Sequence, residues 1–298
     1  LKQSKIQNPK SKIMRSYLPE FEMITPRSLT DALDLLSRDA GVWRPFAGGT
    51  DLMVLFESGK LNHKRFINIL PFHELKQIEV TNEHITIGSL TTYTQVQSNE
   101  TLQKEFSMLC RAASETGGLA IQNRGTIGGN IANASPAADS PPPLLVYNAE
   151  IELISSKGSR WVEYKDFHLD YKKSVMHEDE LISRVRLPRT NEGWKTYYRK
   201  VGTRKAQAIS KVCFAGAVKL DGNKIEDVRI AYGSVAPVPL RCIETENFLR
   251  GQMLDNALIQ SAKLQIQKEI TPIDDIRSTS LYRNNVSANL LEDFLTQV

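Results

Sequence analysis

An α+β chain of two domains is predicted, a larger one followed by a smaller one built on a three-stranded antiparallel sheet and helices, and three features of the sequence predict it. A β-α-β opening runs up to a Gly-Gly turn at Gly48-Gly49. Short alternating strands and helices then fill the middle of the chain, and the polar segment Arg189 to Gly193 separates them from a strand set that ends in helices. At 298 residues the chain exceeds what one small core serves, which favours the division. The boundaries follow as an N-terminal extension over 1–13, expected to be disordered, a first domain over 14–188 with subdomains near 14–70 and 71–188, and a second over 189–298.

Ser28 is a good N-cap for a helix carrying Leu29, Ala32, Leu33 and Leu36 on one face, and a strand follows over Val42 to Ala47. After Gly48-Gly49-Thr50-Asp51, apolar residues at helical spacing run to Glu57, and Arg65 to Ile69 reads as a strand. Short strands begin near Glu79, with His84 to Leu90 alternating; helices are expected over Thr92 to Ser98 and Leu102 to Ser114. A second Gly-rich stretch spans Thr116-Gly117-Gly118 and Arg124 to Asn130. Pro141-Pro142-Pro143 then opens a helix, since proline is tolerated in a first helical turn. Glu150 to Ser155 and Arg160 to Tyr164 form a hairpin around Lys157-Gly158, and Leu181 to Leu187 is a strand closed by Pro188. Past the linker, Trp194 to Val201, Val212 to Leu220 and Ile225 to Gly233 make the antiparallel set, turning at Asp221-Gly222. Helices over Glu244 to Leu249, Asp255 to Glu269 and Tyr282 to Thr296 finish the chain.

Composition narrows the function. A net charge of +4, with basic and acidic residues interspersed, argues against a nucleic-acid stripe. No apolar run approaches the roughly 20 residues of a membrane span, so no membrane crossing is expected. Cys110, Cys213 and Cys242 lie far apart and suit neither a disulfide framework nor a C-x-x-C metal clip, which makes a reducing cytoplasm the expected location. Leu1 to Ile13 lacks the apolar core of a secretory signal, and Met14 is a candidate natural start. Without such a signal the glycosylation patterns at Asn99, Asn133 and Asn285 carry no weight. The histidines, His63, His73, His84, His168 and His177, show no metal-binding spacing, and no metal site is expected.

The two Gly-Gly pairs carry the chemistry. Glycine lets a backbone approach a ligand without a Cβ in the way, so successive N–H groups can converge on a phosphate; a Gly-Gly pair alone is otherwise a plain turn. Neither pair forms G-x-G-x-x-G or a P-loop, and Gly59-Lys60 is followed by Leu61 rather than a metal-binding hydroxyl. What remains is an anion site built by two separated loops, suited to a dinucleotide such as FAD. Asn130 and Asp139 are candidates for its hydroxyl contacts, Asp139 being otherwise a helix N-cap.

Pro45-Phe46-Ala47-Gly48-Gly49-Thr50-Asp51-Leu52 and Arg124-Gly125-Thr126-Ile127-Gly128-Gly129-Asn130, continuing to Asp139, resemble the FAD-binding domain of molybdenum hydroxylases. That family includes xanthine dehydrogenase and the medium, flavin-binding subunit of aerobic carbon monoxide dehydrogenase. Tyr198 to Arg204, Ala231 to Pro237 with Pro239 and Arg241, and Ile276-Arg277-Ser278 with Tyr282-Arg283 resemble its C-terminal flavoprotein domain. The resemblance covers the chain from about Met14 onward, and four blocks in the right order make it specific. It implies a two-subdomain FAD-binding domain of the vanillyl-alcohol-oxidase/PCMH-like type. It also implies that Pro45 to Leu52 wraps the FAD pyrophosphate while Thr126, Ile127, Gly128, Gly129 and Asn130 bind from the opposite side. Asp139 matches a ribityl or ribose acceptor, Ile182 an apolar residue near the flavin ring, and Lys200 a basic residue near its polar edge. On their own residues, Ile182 reads as a core strand position and Lys200 as a solvated lysine. Where some relatives place an aromatic ring beside the flavin, Thr116-Gly117-Gly118 has none.

The resemblance implies an electron-transfer subunit active only in a complex, whose partners are a large molybdenum-cofactor subunit and a small two-iron two-sulfur subunit. Electrons pass from the clusters through FAD to NAD or another acceptor. Three scattered cysteines exclude a conventional four-Cys cluster within this chain. The flavin carries the redox chemistry, so no catalytic side chain is expected. The competing expectations are a stand-alone FAD-dependent oxidase or reductase of the same fold and a flavin-free assembly or scaffold protein.

Overall fold

Parallel strands need crossover connections, and the first subdomain supplies them with two short helices. In a computed structural model that describes residues 21–190, 192–204 and 208–298, it runs β1 (Glu22–Ile24), α1 (Leu29–Arg38), β2 (Arg44–Phe46), α2 (Leu52–Glu57) and β3 (Arg65–Asn68). The extension expected over 1–13 lies outside the described residues. Strands β1 and β2 both pair in parallel with β3, giving the order β1-β3-β2; β1 is a strand that the sequence pattern does not announce. Ser28 caps α1 as expected, its hydroxyl accepting from Asp31 N at 3.1 Å. Ala32 and Leu36 point from that helix into a core with Trp43, Ile67, Phe72 and Leu75. The loop after β2 leaves the carboxyl end of a parallel strand, the end at which open parallel sheets bind ligands.

The second subdomain holds β4 (Ile78–Val80), β5 (His84–Gly88), α3 (Tyr93–Ser98), α4 (Glu100–Glu105), α5 (Ser107–Glu115), α6 (Leu119–Arg124), α7 (Ile127–Ala132) and α8 (Pro141–Val146), then β6 (Glu150–Ser155), β7 (Gly158–Glu163), β8 (His168–Asp170), β9 (Lys173–Ser174) and β10 (Leu181–Pro188). Five of the strands form an antiparallel sheet in the order β4-β5-β10-β6-β7. Its two faces alternate as a half-buried sheet requires. Ile151, Leu153, Val185 and Leu187 are fully buried, while on the other face Arg186 pairs with Glu150 at 2.6 Å and Arg184 with Glu152 at 2.7 Å across β10 and β6. Both guanidinium groups lie over the Trp161 ring.

Two expectations change here. The single helix expected over Leu102 to Ser114 is two, α4 and α5, because Phe106 leaves helical geometry at φ −129°, ψ 45° and turns its ring edge-on to Tyr147 in the core. The Gly-rich stretch from Leu119 onward is helical, as α6 and α7.

In the C-terminal part, β11 (Lys195–Val201), β12 (Val212–Asp221), β13 (Lys224–Gly233) and β14 (Leu240–Arg241) form an antiparallel sheet in that order, one short strand more than the three expected. Helices α9 (Ile243–Leu249), α10 (Asn256–Glu269) and α11 (Ser280–Gln297) cover one face, where Val212, Phe214, Val218, Ile230 and Tyr232 meet Phe294 and Leu291. The other face carries Ala215, Ala217 and Ala231, which join the core of the second subdomain beneath α8. Small residues there let the two parts of the chain approach closely. Among the described residues no helix is long and apolar enough to cross a membrane.

Candidate functional site

The two Gly loops, distant in sequence, touch. A Cβ built on Gly48 would lie 1.8 Å from the Arg124 carbonyl oxygen, so only glycine admits this contact, and Arg124 Nε donates to the Gly48 carbonyl at 3.2 Å. Gly49 adopts φ +74°, a left-handed conformation that glycine enters at little cost. A second tie joins the loops further out, where Asn133 Nδ2 donates to Asp51 Oδ1 at 3.1 Å. Strand β2 carries Pro45 and Phe46 to the start of this turn, with the Phe46 ring edge-on to Phe66.

The loops differ in what they offer. Among the described residues nothing accepts a hydrogen bond from the amides of Gly48, Gly49, Thr50, Asp51 and Leu52, so successive N–H groups remain open beside the Arg124 contact. The amides of the second stretch are spent inside the fold: Ile127 N donates to Thr91 O, Gly128 N to Ser89 O at 2.8 Å, and Gly129 N to the N-capping Thr126 hydroxyl at 3.1 Å. Asn130 N is likewise consumed, by Thr126 O in the helix. Unlike the first turn, the second therefore has its amides from Ile127 to Asn130 engaged within the fold. The second contributes close approach and the buried Asn130 Oδ1, which, like Ser89 Oγ after β5, lacks a partner among the described residues.

Asp139 and Lys200 come together as a pair. Lys200 Nζ donates to Asp139 Oδ2 at 2.6 Å and to the Glu115 carbonyl at 2.8 Å, and the Ser210 hydroxyl donates to Asp139 Oδ1 at 2.5 Å. Both charged side chains are almost wholly buried, so Lys200 is not a solvated lysine. Nor does Asp139 cap a helix, since Ser140 occupies the N-cap of α8. Burial pushes the Asp139 carboxyl up, against the pull of the Lys200 ammonium and the Ser210 hydroxyl. The Cys213 thiol, which donates to Tyr198 Oη at 3.3 Å, is also pushed up by burial and is not a reactive thiolate. Tyr93 links this cluster to the Gly loops: its ring lies against Gly125, and burial followed by the Asp139 charge raises its phenol. Ile182 sits in the core of the second subdomain at a bulge in β10. Ser210, Tyr93 and Ser89 belong to no motif; only their proximity in the fold marks them. Among the described residues no cluster of His, Cys, Asp or Glu forms a metal site.

Comparison with known proteins follows the same division of the chain. The family described as the FAD binding domain in molybdopterin dehydrogenase matches residues 19–190, and the CO dehydrogenase flavoprotein C-terminal domain matches residues 197–298. The glyceraldehyde dehydrogenase medium chain of Sulfolobus acidocaldarius is 34% identical over 270 residues, covering 91% of this chain and 95% of its own. The xanthine dehydrogenase FAD-binding subunit of Escherichia coli O157:H7 is 28% identical over 272 residues, covering 91% and 93%. A solved structure of carbon monoxide dehydrogenase from Hydrogenophaga pseudoflava superimposes with a TM-score of 0.89 at 26% identity, over 93% of this chain and 96% of that one.

Proposed function

This chain belongs to the family of FAD-binding subunits of molybdopterin dehydrogenases, and from that premise we propose that it is the electron-transfer flavoprotein of a molybdenum hydroxylase complex. FAD is the cofactor of the family, and the chain is an oxidoreductase subunit. The residues fit the group. The open amides of Gly48 to Leu52 suit a diphosphate, and Gly48, with no Cβ, lets the two loops meet backbone to backbone. In this reading Pro45 to Leu52 holds the pyrophosphate and Thr126 to Asn130 closes the site from the other side. Asp139, Lys200 and Ile182 serve the flavin end, where the buried ion pair keeps a fixed charge and hydrogen-bond pattern out of water. When bound, FAD supplies redox chemistry between iron–sulfur clusters on a small partner subunit and NAD or another soluble acceptor. The organic substrate belongs to a large molybdenum subunit.

The observation that carries the proposal is the Gly48–Arg124 backbone contact beside the unpaired amides. Titration of the purified chain with FAD tests it: a bound-flavin absorbance spectrum at stoichiometric FAD is expected, and a chain that takes up none would overturn the assignment. Co-expression with the large and small subunits tests the electron route. Omission of this chain should abolish reduction of the soluble acceptor while substrate still reduces the clusters.

A further inference from the structure

The β8–β9 hairpin has no part in the sequence motifs, yet it delivers a cation to the seam between the two loops. Lys172 stands at its tip with φ +58°, a left-handed conformation unfavourable for a non-glycine residue. Its ammonium donates to Asn133 O at 2.7 Å and to Asn133 Oδ1 at 2.6 Å. Asn133 in turn donates to Asp51, the residue whose amide lies among the open ones. An ammonium has three protons to donate. Two go to Asn133, and among the described residues none accepts the third.

The charges around this lysine are mixed. Burial lowers the Lys172 ammonium from its ordinary value; Asp51 acts the other way, and Arg44 on β2 adds like-charge repulsion. A hairpin staple alone would be served by a neutral donor. An exposed cation held in place by Asn133 beside Arg44, with an N–H that no described residue accepts, is available to a site completed by negative charge.

We propose that Lys172 is a phosphate-binding residue, its ammonium held by Asn133 over the seam of the two loops to neutralise the FAD diphosphate that the Gly48 to Leu52 amides receive. The assignment rests on the flavin reading above. It extends that site to the hairpin, and it makes Asn133 a positioning residue for the lysine.

The test is FAD and ADP titration of the full chain in three forms: wild type, Lys172→Met and Lys172→Arg, each also followed by thermal unfolding without ligand. Loss of a charged hydrogen bond predicts affinity for both FAD and ADP about ten- to hundredfold weaker in Lys172→Met. Arginine should restore most of it, and added salt should weaken wild-type binding more than that of the methionine variant. Unchanged FAD affinity in Lys172→Met overturns the inference. So does a loss that arginine fails to restore while the unliganded unfolding temperature falls, since that pattern marks a staple of the hairpin. A wild-type chain that binds no FAD sinks the flavin assignment itself, a distinct result.

Discussion

Single atoms decide whether the site can form. Ala in place of Gly48 puts a methyl 1.8 Å from a backbone oxygen that cannot rotate away, so the loops must separate. Gly48→Ala is expected to destabilise by about 1–3 kcal/mol and to abolish FAD retention. Gly59→Ala is the control: its φ is +69° but a Cβ there meets nothing within 4 Å, so it should cost only about 1 kcal/mol and leave FAD bound. Thermal unfolding and flavin content of the purified variants check both. A second residue-scale prediction concerns the buried pair. Lys200→Met strands the Asp139 carboxylate away from water and should cost about 3–5 kcal/mol, with part recovered in Lys200→Met/Asp139→Asn, as denaturant titration would read. Each partner is legible in the sequence as a family position. Their union is not, because they stand 61 residues apart and Ser210, which completes the pair, sits in no motif.

Elements were legible where their own ends or faces define them. Ser28, Thr92 and the first proline of α8 mark helix starts that the structure keeps, and the Asp221-Gly222 turn marks the β12–β13 hairpin. Asp255 is another such mark, its carboxylate accepting from Leu258 N at 2.8 Å. Asp255→Ala should lower stability by about 1 kcal/mol through α10 alone, leaving flavin content unchanged; a loss of flavin would show that α10 communicates with the site. Elements were illegible where a tertiary contact overrides local preference. Glycine is a poor helix former, so Ile127 to Ala132 reads as loop, yet Gly128 is required there because a Cβ would lie 2.5 Å from Ser89 Cβ. The break at Phe106 likewise answers to Tyr147, on another helix's flank. The β8–β9 pair is too short for any pattern to reveal.

For the whole molecule the testable quantity is stability against pH. His168 packs between Tyr164 and Phe167, and burial pushes its imidazole from 6.5 down to about 4. The unfolded chain takes up that proton at about 6.5 while the folded chain resists, so the contribution is whole above pH 6.5 and lost as pH falls toward 4. The loss amounts to roughly 3 kcal/mol, at about 1.4 kcal/mol per pKa unit. At lower pH Glu105 and Glu150 act in the same direction. Hydrogen bonds from Arg189 and Arg186 hold them below their ordinary 4.5, so their contribution is present above that value and lost as pH falls through the lowered one. Asp139 and Glu246, raised by burial, oppose them. The unfolding temperature should therefore decline from pH 6.5 to 4, and His168→Gln, which retains a partner for Tyr164, should flatten that decline. An identical slope in the variant would show that other groups set it.

The alanine side of β12 and β13 has a further consequence. Lys200 rides on β11, in register with Cys213 of β12, whereas Asp139 belongs to the opposing half of the chain. The spacing between the halves is set by methyl groups at 215, 217 and 231. Those methyls therefore act as a gauge: a bulkier residue at any of them jacks the halves apart and lengthens the salt link. The geometry of the buried pair is thereby open to substitutions that do not touch either partner.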